Sequence, residues 1–132
     1  STAYYNPITR NYGFGVANPS ASMHISGAAG SDLVNLVDAA TINTNASDGN
    51  VFKVTLGGNR TLANPTNMVA GFTYMWIVEQ DITGSRTLTY GSSFKFPGGT
   101  PPTLSTATGS IDVLSAVYDG TNILCTFQSD FS

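Results

Sequence analysis

From Asp48 onward, short apolar runs alternate with glycine, proline and asparagine punctuation, and this rhythm constrains the fold more than any other feature. Val51-Phe52-Lys53-Val54-Thr55-Leu56 is β-branched and aromatic, and follows the turn signal Asp48-Gly49-Asn50. Gly57-Gly58 closes it, Asn59-Arg60-Thr61-Leu62 begins the next run, and Asn64-Pro65 breaks the chain. Thr73-Tyr74-Met75-Trp76-Ile77-Val78-Glu79-Gln80 is the longest candidate strand, flanked by Gly71 and the turn Thr83-Gly84-Ser85. Residues 86–90 alternate polar and apolar, as a half-buried strand does. Phe94-Lys95-Phe96 precedes Pro97-Gly98-Gly99-Thr100-Pro101-Pro102, a stretch with no capacity for helix. Residues 111–118 and 122–128 read as a hairpin around Asp119-Gly120-Thr121-Asn122. About seven strands in this stretch predict an all-β fold, an antiparallel β-sandwich or jelly-roll-like barrel over residues 49–132.

Composition supports the absence of helix. Only 10% of the 132 residues are charged, against roughly a quarter in ordinary domains. Thr, Ser, Asn and Gly stand where the long charged side chains of solvent-facing helices would be, and Gly, Ser and Asn disfavour helix interiors. Scarce charge also weakens repulsion between copies, which suits a surface that faces other subunits. A secreted β domain with a Thr- and Asn-rich surface explains the same composition.

Residues 1–48 differ: they are rich in Asn, Ser, Ala and Pro, with short apolar bursts. They read as an extended N-terminal arm for oligomerisation and anchoring. Within them, residues 31–37 admit strand or short helix: Asp32 as N-cap favours helix, Val34 and Val37 favour strand, and strand is the preferred reading. Ser1-Thr2 at the start is what removal of an initiator Met leaves, which points to a small whole gene product decorating a particle.

Several functions are disfavoured. The net charge is −3, and the five basic residues Arg10, Lys53, Arg60, Arg86 and Lys95 are dispersed, which argues against nucleic acid as a partner. No run of 18 apolar residues predicts a membrane span, and the N-terminus lacks a signal-peptide pattern. Cys125, the single cysteine, lies in Ile123-Leu124-Cys125 and is expected to be a buried thiol.

Two stretches resemble known families. Gly13-Phe14-Gly15-Val16-Ala17-Asn18-Pro19-Ser20-Ala21-Ser22-Met23-His24-Ile25-Ser26-Gly27 resembles a G-I-G-x-x-x-P-S-x-x-L-H-V run of phage tail-fibre and trimeric appendage proteins, with Phe14 and Met23 replacing the usual Ile and Leu. The segment 50–131 resembles a phage structural module in four spaced motifs. These are Leu56-Gly57-Gly58-Asn59-Arg60-Thr61-Leu62, Gln80-Asp81-Ile82-Thr83-Gly84-Ser85-Arg86-Thr87-Leu88, Phe94-Lys95-Phe96-Pro97-Gly98-Gly99 and Tyr118-Asp119-Gly120-Thr121-Asn122. The resemblance implies a non-enzymatic, homotrimeric virion protein: a fibre, spike or capsid-decoration module assembled in the host bacterial cytoplasm, with capsid or tail subunits as partners.

Reactive constellations are sparse. His24, the single histidine, has no acidic or thiol neighbour in sequence and no nucleophile elbow, so it reads as structural or as a pH-sensitive interface group. Glu79 and Asp81 share one strand face at a spacing compatible with glycosidase carboxylates. Asp81 fits a turn better, and Glu79 fits a cross-strand pair with Arg60 or Arg86. No metal set is visible: His24 and Cys125 are far apart, and Asp48 and Asn50 lack repeated acidic company. Gly57-Gly58-Asn59 and Gly98-Gly99 lack the lysine of a phosphate loop and read as turns. No cofactor is expected.

The candidate interaction residues are therefore apolar. Tyr4, Tyr5, Tyr12, Phe14, Met23, His24 and Ile25 are assigned to an interface or anchor, because exposed tyrosines suit docking. As an alternative, Trp76 and Tyr90, with Tyr74 and Phe94 nearby, could form a platform for host surface glycans. Against that, Tyr74, Trp76 and Val78 share one strand face and Met75 and Ile77 the other, the pattern of a strand buried on both sides.

Overall fold

The computed structural model describes residues 2–132, and Ser1 lies outside them. The chain divides into two units, Ser1–Gly30 and Ser31–Ser132. The division falls at 30/31 rather than the expected 48/49, because residues 31–48 pair with the strands that follow.

The first unit is a three-stranded sheet. Strands β1 (Ala3–Asn6) and β2 (Asn11–Phe14) form a hairpin, and β3 (Met23–Ile25) runs parallel to β2. The Asn6 side chain accepts hydrogen bonds from the amides of Ile8 and Thr9, which fixes the hairpin turn. Gly13 is buried, and a Cβ there would collide with the Val16 carbonyl oxygen.

The second unit is a stack of three rungs, each bending from one sheet into another. The rungs are β4 (Leu33–Asn35) with β5 (Thr41–Ile42), β6 (Val51–Leu56) with β7 (Arg60–Leu62), and β8 (Thr73–Gln80) with β9 (Leu88–Tyr90). Strands β4, β6 and β8 pair in parallel, and so do β5, β7 and β9. After β10 (Phe94–Lys95) and a 3-10 turn at Pro97–Gly99 come β11 (Ile111–Tyr118) and β12 (Ile123–Phe131). These two form the expected hairpin; β11 lies antiparallel to β8, and β12 takes β10 in parallel at its outer edge. The larger sheet therefore has the order β10-β12-β11-β8-β6-β4, facing a smaller sheet β5-β7-β9.

All-β holds, and among the described residues there is no α-helix. The antiparallel expectation holds only for β8-β11-β12; elsewhere pairing within this unit is parallel. The reason lies in the corners. Gly57-Gly58-Asn59 is the expected turn, and it carries the chain across into the second sheet instead of back beside β6. Each strand then meets its counterpart one rung later.

Asn and Thr, which composition suggested as surface coating, stitch these corners together with Asp38. Asp38 accepts two hydrogen bonds from the Arg60 guanidinium, at 2.8 and 2.9 Å, and one from the Gly57 amide. Asn59 accepts from the Thr87 amide, and Thr61 and Thr89 hydroxyls meet at 2.7 Å. At the opposite corner Asn67 donates to Asn45, and Asn64 accepts from the Ser93 amide. A Cβ on Gly91 would sit 2.6 Å from the Asn64 backbone nitrogen, so only glycine fits the rung above.

Between the two sheets lies the core. Phe52, Val54 and Leu56 of β6, Tyr74, Trp76 and Val78 of β8, and Leu114 of β11 face Ile42, Leu62 and Leu88 of the smaller sheet. Phe52 and Trp76 are register partners with ring centroids 5.6 Å apart, and Phe94 meets Trp76 edge-on at 5.5 Å. The indole NH of Trp76 donates to the Thr44 hydroxyl. Asp112 is buried at the sheet's end, where its carboxylate accepts from the amides of Ser105 and Asp130.

Candidate interaction surfaces

In the first unit, register decides which residues share a face. Tyr5, Tyr12 and Met23 form one cross-strand row, and Ala3, Phe14 and Ile25 the next. These six occupy one side of the sheet, and all are exposed: Tyr5 and Tyr12 by 53% each, Met23 by 64%. The Tyr5 and Tyr12 rings lie 4.7 Å apart. Of the seven residues assigned to an interface from sequence, five share this face. Tyr4 and His24 lie on the opposite side, in one row with Gly13. His24 Nδ1 lies 3.2 Å from both the amide and the hydroxyl of Ser20, within its own turn.

The second unit has a hollow of about 430 Å³ lined by Thr55, Glu79, Gln80, Asp81, Ile82, Thr108 and Gly109. It brings together the two carboxylates considered for glycoside chemistry. Each is held by a cation. Glu79 pairs with Lys53 at 3.3 Å, not with Arg60 or Arg86 as expected; Arg60 is taken by Asp38 and Arg86 by Asp81. Asp81 performs the predicted turn role, accepting from the amides of Thr83 and Gly84. The Arg86 guanidinium and these amides hold its carboxyl down at about 2. A general acid needs the opposite, a carboxyl kept protonated near neutrality.

The aromatic platform is likewise absorbed. Trp76 is 1% exposed, so its ring faces are covered by Phe52 and Phe94 and offer no stacking surface to a sugar. Tyr90 packs against Phe94 and Phe96, and burial pushes its hydroxyl far above the usual phenol range. Cys125 is a buried thiol, raised by burial to about 11. Among the described residues no group of acidic, His and Cys side chains is arranged to hold a metal ion.

A surface that sequence reasoning left aside is the outward side of the larger sheet. Met75 and Val117 are 39% exposed and Leu124 is 45% exposed, with Ser115 between them. The signal was present in the apolar residues on both faces of β8, which had been read as burial on both sides. The inner face is buried as expected, and the outer face is not.

By fold this is an all-β module whose body is a rung-stacked pair of sheets. Residues 39–123 match the family model described as "Putative phage tail fibre C-terminal domain", and the chain belongs to that family. It is accordingly a bacteriophage structural module of tail-fibre type, a component of the virion. No curated protein and no solved structure gives a significant match.

Proposed function

We propose that this chain is a non-enzymatic tail-fibre module that self-associates, and that its first unit anchors it to a neighbouring virion protein. The single observation that carries the anchoring role is the exposed apolar face of Ala3, Tyr5, Tyr12, Phe14, Met23 and Ile25. Rigid aromatic side chains on a small sheet suit an interface, since they bring contact area with little rotamer entropy to lose. The absence of turnover is supported by the two carboxylates of the hollow, each of them held in an ion pair, Glu79 with Lys53 and Asp81 with Arg86. Self-association, with three copies as the expected number, is supported by the family and by the low charge. The family favours a fibre over a capsid decoration, and assembly in the host cytoplasm follows from a virion role.

The test uses phage carrying Tyr12→Lys in the full chain, with immunoblotting of purified particles. Incorporation should fall at least tenfold while the isolated variant keeps its β circular dichroism. Unchanged incorporation overturns the anchoring role. Mass measurement of the wild-type chain tests self-association separately.

A further inference from the structure

We propose that the Ile82 turn of one copy seats in the Ser115 hollow of the next, so that three copies close head to tail into a ring. The proposal rests on the self-association reading above and names the contact that makes it. At 95% exposure Ile82 is the most exposed large apolar side chain among the described residues. A single exposed isoleucine is ordinary, so exposure alone decides nothing. What sets this one apart is that its turn is held. The Asp81 carboxylate accepts from the amides of Thr83 and Gly84 and from the Arg86 guanidinium. The buried Gln80 side chain accepts from the Arg86 amide and donates to the Arg86 carbonyl, and the Ser85 amide donates to the Thr106 carbonyl. A Cβ on Gly84 would stand 2.6 Å from that same Thr106 oxygen, so the turn is pressed onto its neighbour. A side chain presented on so fixed a turn loses little freedom on docking.

The hollow is the matching part. Ser115 is its floor, and Met75, Val117, Leu124 and Thr126 are its walls, as four residues frame the hole for a knob between packed helices. Its volume of about 290 Å³ takes an isoleucine and the adjoining Thr83, which brings a hydroxyl to the Ser115 hydroxyl. Charge agrees. Lys95 lies beside Leu124 at the rim, exposed and without an ion pair among the described residues. The incoming turn carries Asp81 directly before Ile82, and the Asp81 Oδ2 is bound by Arg86 alone, with room for a further donor. Lys95 also stands on the edge strand β10, so its stem reaches water past the sheet. Asp119, in the turn that ends β11, is held by the amides of Thr121 and Asn122, and Lys53 and Glu79 hold each other. The contact therefore strands no charge. Position selects a ring. Knob and hole lie toward opposite ends of β8, roughly 20 Å apart along it, so a chain does not fill its own hole. The contact joins unlike patches, and such contacts leave a knob and a hole bare until a ring closes. Both sites sit at the level of β8 and β11 in the stack. Copies standing side by side with their stacks parallel thus meet knob to hole without a step in height, around an axis that runs along the stack.

The test is made on the full chain. Sedimentation equilibrium from about 1 to 100 μM should give the wild type a mass of three times 13.8 kDa. Ile82→Ser should weaken association at least tenfold with unchanged circular dichroism. Ile8→Ser, which removes an isoleucine 92% exposed on another turn, should leave association unchanged. Thr83→Cys and Thr126→Cys place thiols beside the knob and on the rim of the hole, both at exposed positions. Chains carrying both should be joined by a short bismaleimide into species of up to three chains and no more. Chains carrying either one alone should stay uncross-linked, because like sites do not meet and Cys125 is buried. The cross-link decides the matter if Ile82→Ser fails to fold. Full association of a folded Ile82→Ser chain, a cross-link in either single variant, or none in the double variant overturns the proposal and leaves self-association standing. A wild type of two chains, or a cross-linked ladder beyond three, does the same. A monomeric wild type overturns both.

Discussion

The two units are built from the same materials and treat them in opposite ways. Each is a set of short strands with Tyr, Phe and Ile on alternating positions. In the body, two sheets close over those side chains, so Phe52 and Trp76 are at most 1% exposed. Among the described residues of the first unit there is one sheet and no second layer, so Tyr5, Tyr12 and Met23 remain more than half exposed. Alternation therefore sorts residues onto faces, but layer count decides which faces become core. An apolar face without a layer of its own is surface held ready for something else.

The sharpest way to break this contrast is to remove a core aromatic from the body. Trp76→Ala should destabilise the body by about 3–5 kcal/mol, read from the urea midpoint. A loss near zero would mean that the two sheets do not form one packed core. Next in size is Asp112→Ala, which strands the amides of Ser105 and Asp130 and should cost about 2–3 kcal/mol. Asp112→Asn should recover part of that loss.

A smaller effect comes from acid. Arg86 holds the Asp81 carboxyl at about 2, and Arg60 lowers that of Asp38. Both folded-state values lie below the unfolded carboxylate value near 3.9. Their contribution is thus fully present above about pH 4 and is lost as the pH falls toward about 2. The urea midpoint should be flat from pH 7 to 5 and fall below 4, and Arg86→Ala should flatten that fall. An unchanged slope in the variant would separate the ion pair from acid sensitivity. Smallest of all, Tyr5→Ser should move the body's midpoint by less than about 0.5 kcal/mol. A shift above 1 kcal/mol would show the two units unfolding as one.

Much of the body was readable from residue order alone. The β-branched and aromatic runs Val51–Leu56, Thr73–Gln80 and Ile111–Tyr118, each bounded by turn residues, identified strands, and Asp119-Gly120 identified the hairpin. Asp81 was recognised as a turn residue from its neighbours. Pairing direction was not readable, because alternation says which face a side chain takes and nothing about which strand lies alongside. Leu33, Val51 and Met75 are row partners separated by 18 and then 24 residues, with no local mark of that register. The Lys53–Glu79 pair was missed for the same reason, since it depends on parallel neighbours. Residues 31–37 were assigned to the arm because their partner strand lies beyond the turn at Asp48. Among the interaction residues, sequence grouped seven by character, and only register could divide them between two faces.

The stitched corners have one further consequence. Because Asp38 reaches Arg60, and Asn59 reaches Thr87, each rung grips the next through the same kinds of residue. Duplicating one such turn of chain adds about 4.8 Å of height and requires no change to the hairpin that finishes the stack. For an appendage, this makes reach a graded property: a gene can lengthen or shorten the module in small, equal steps while leaving its last surface untouched.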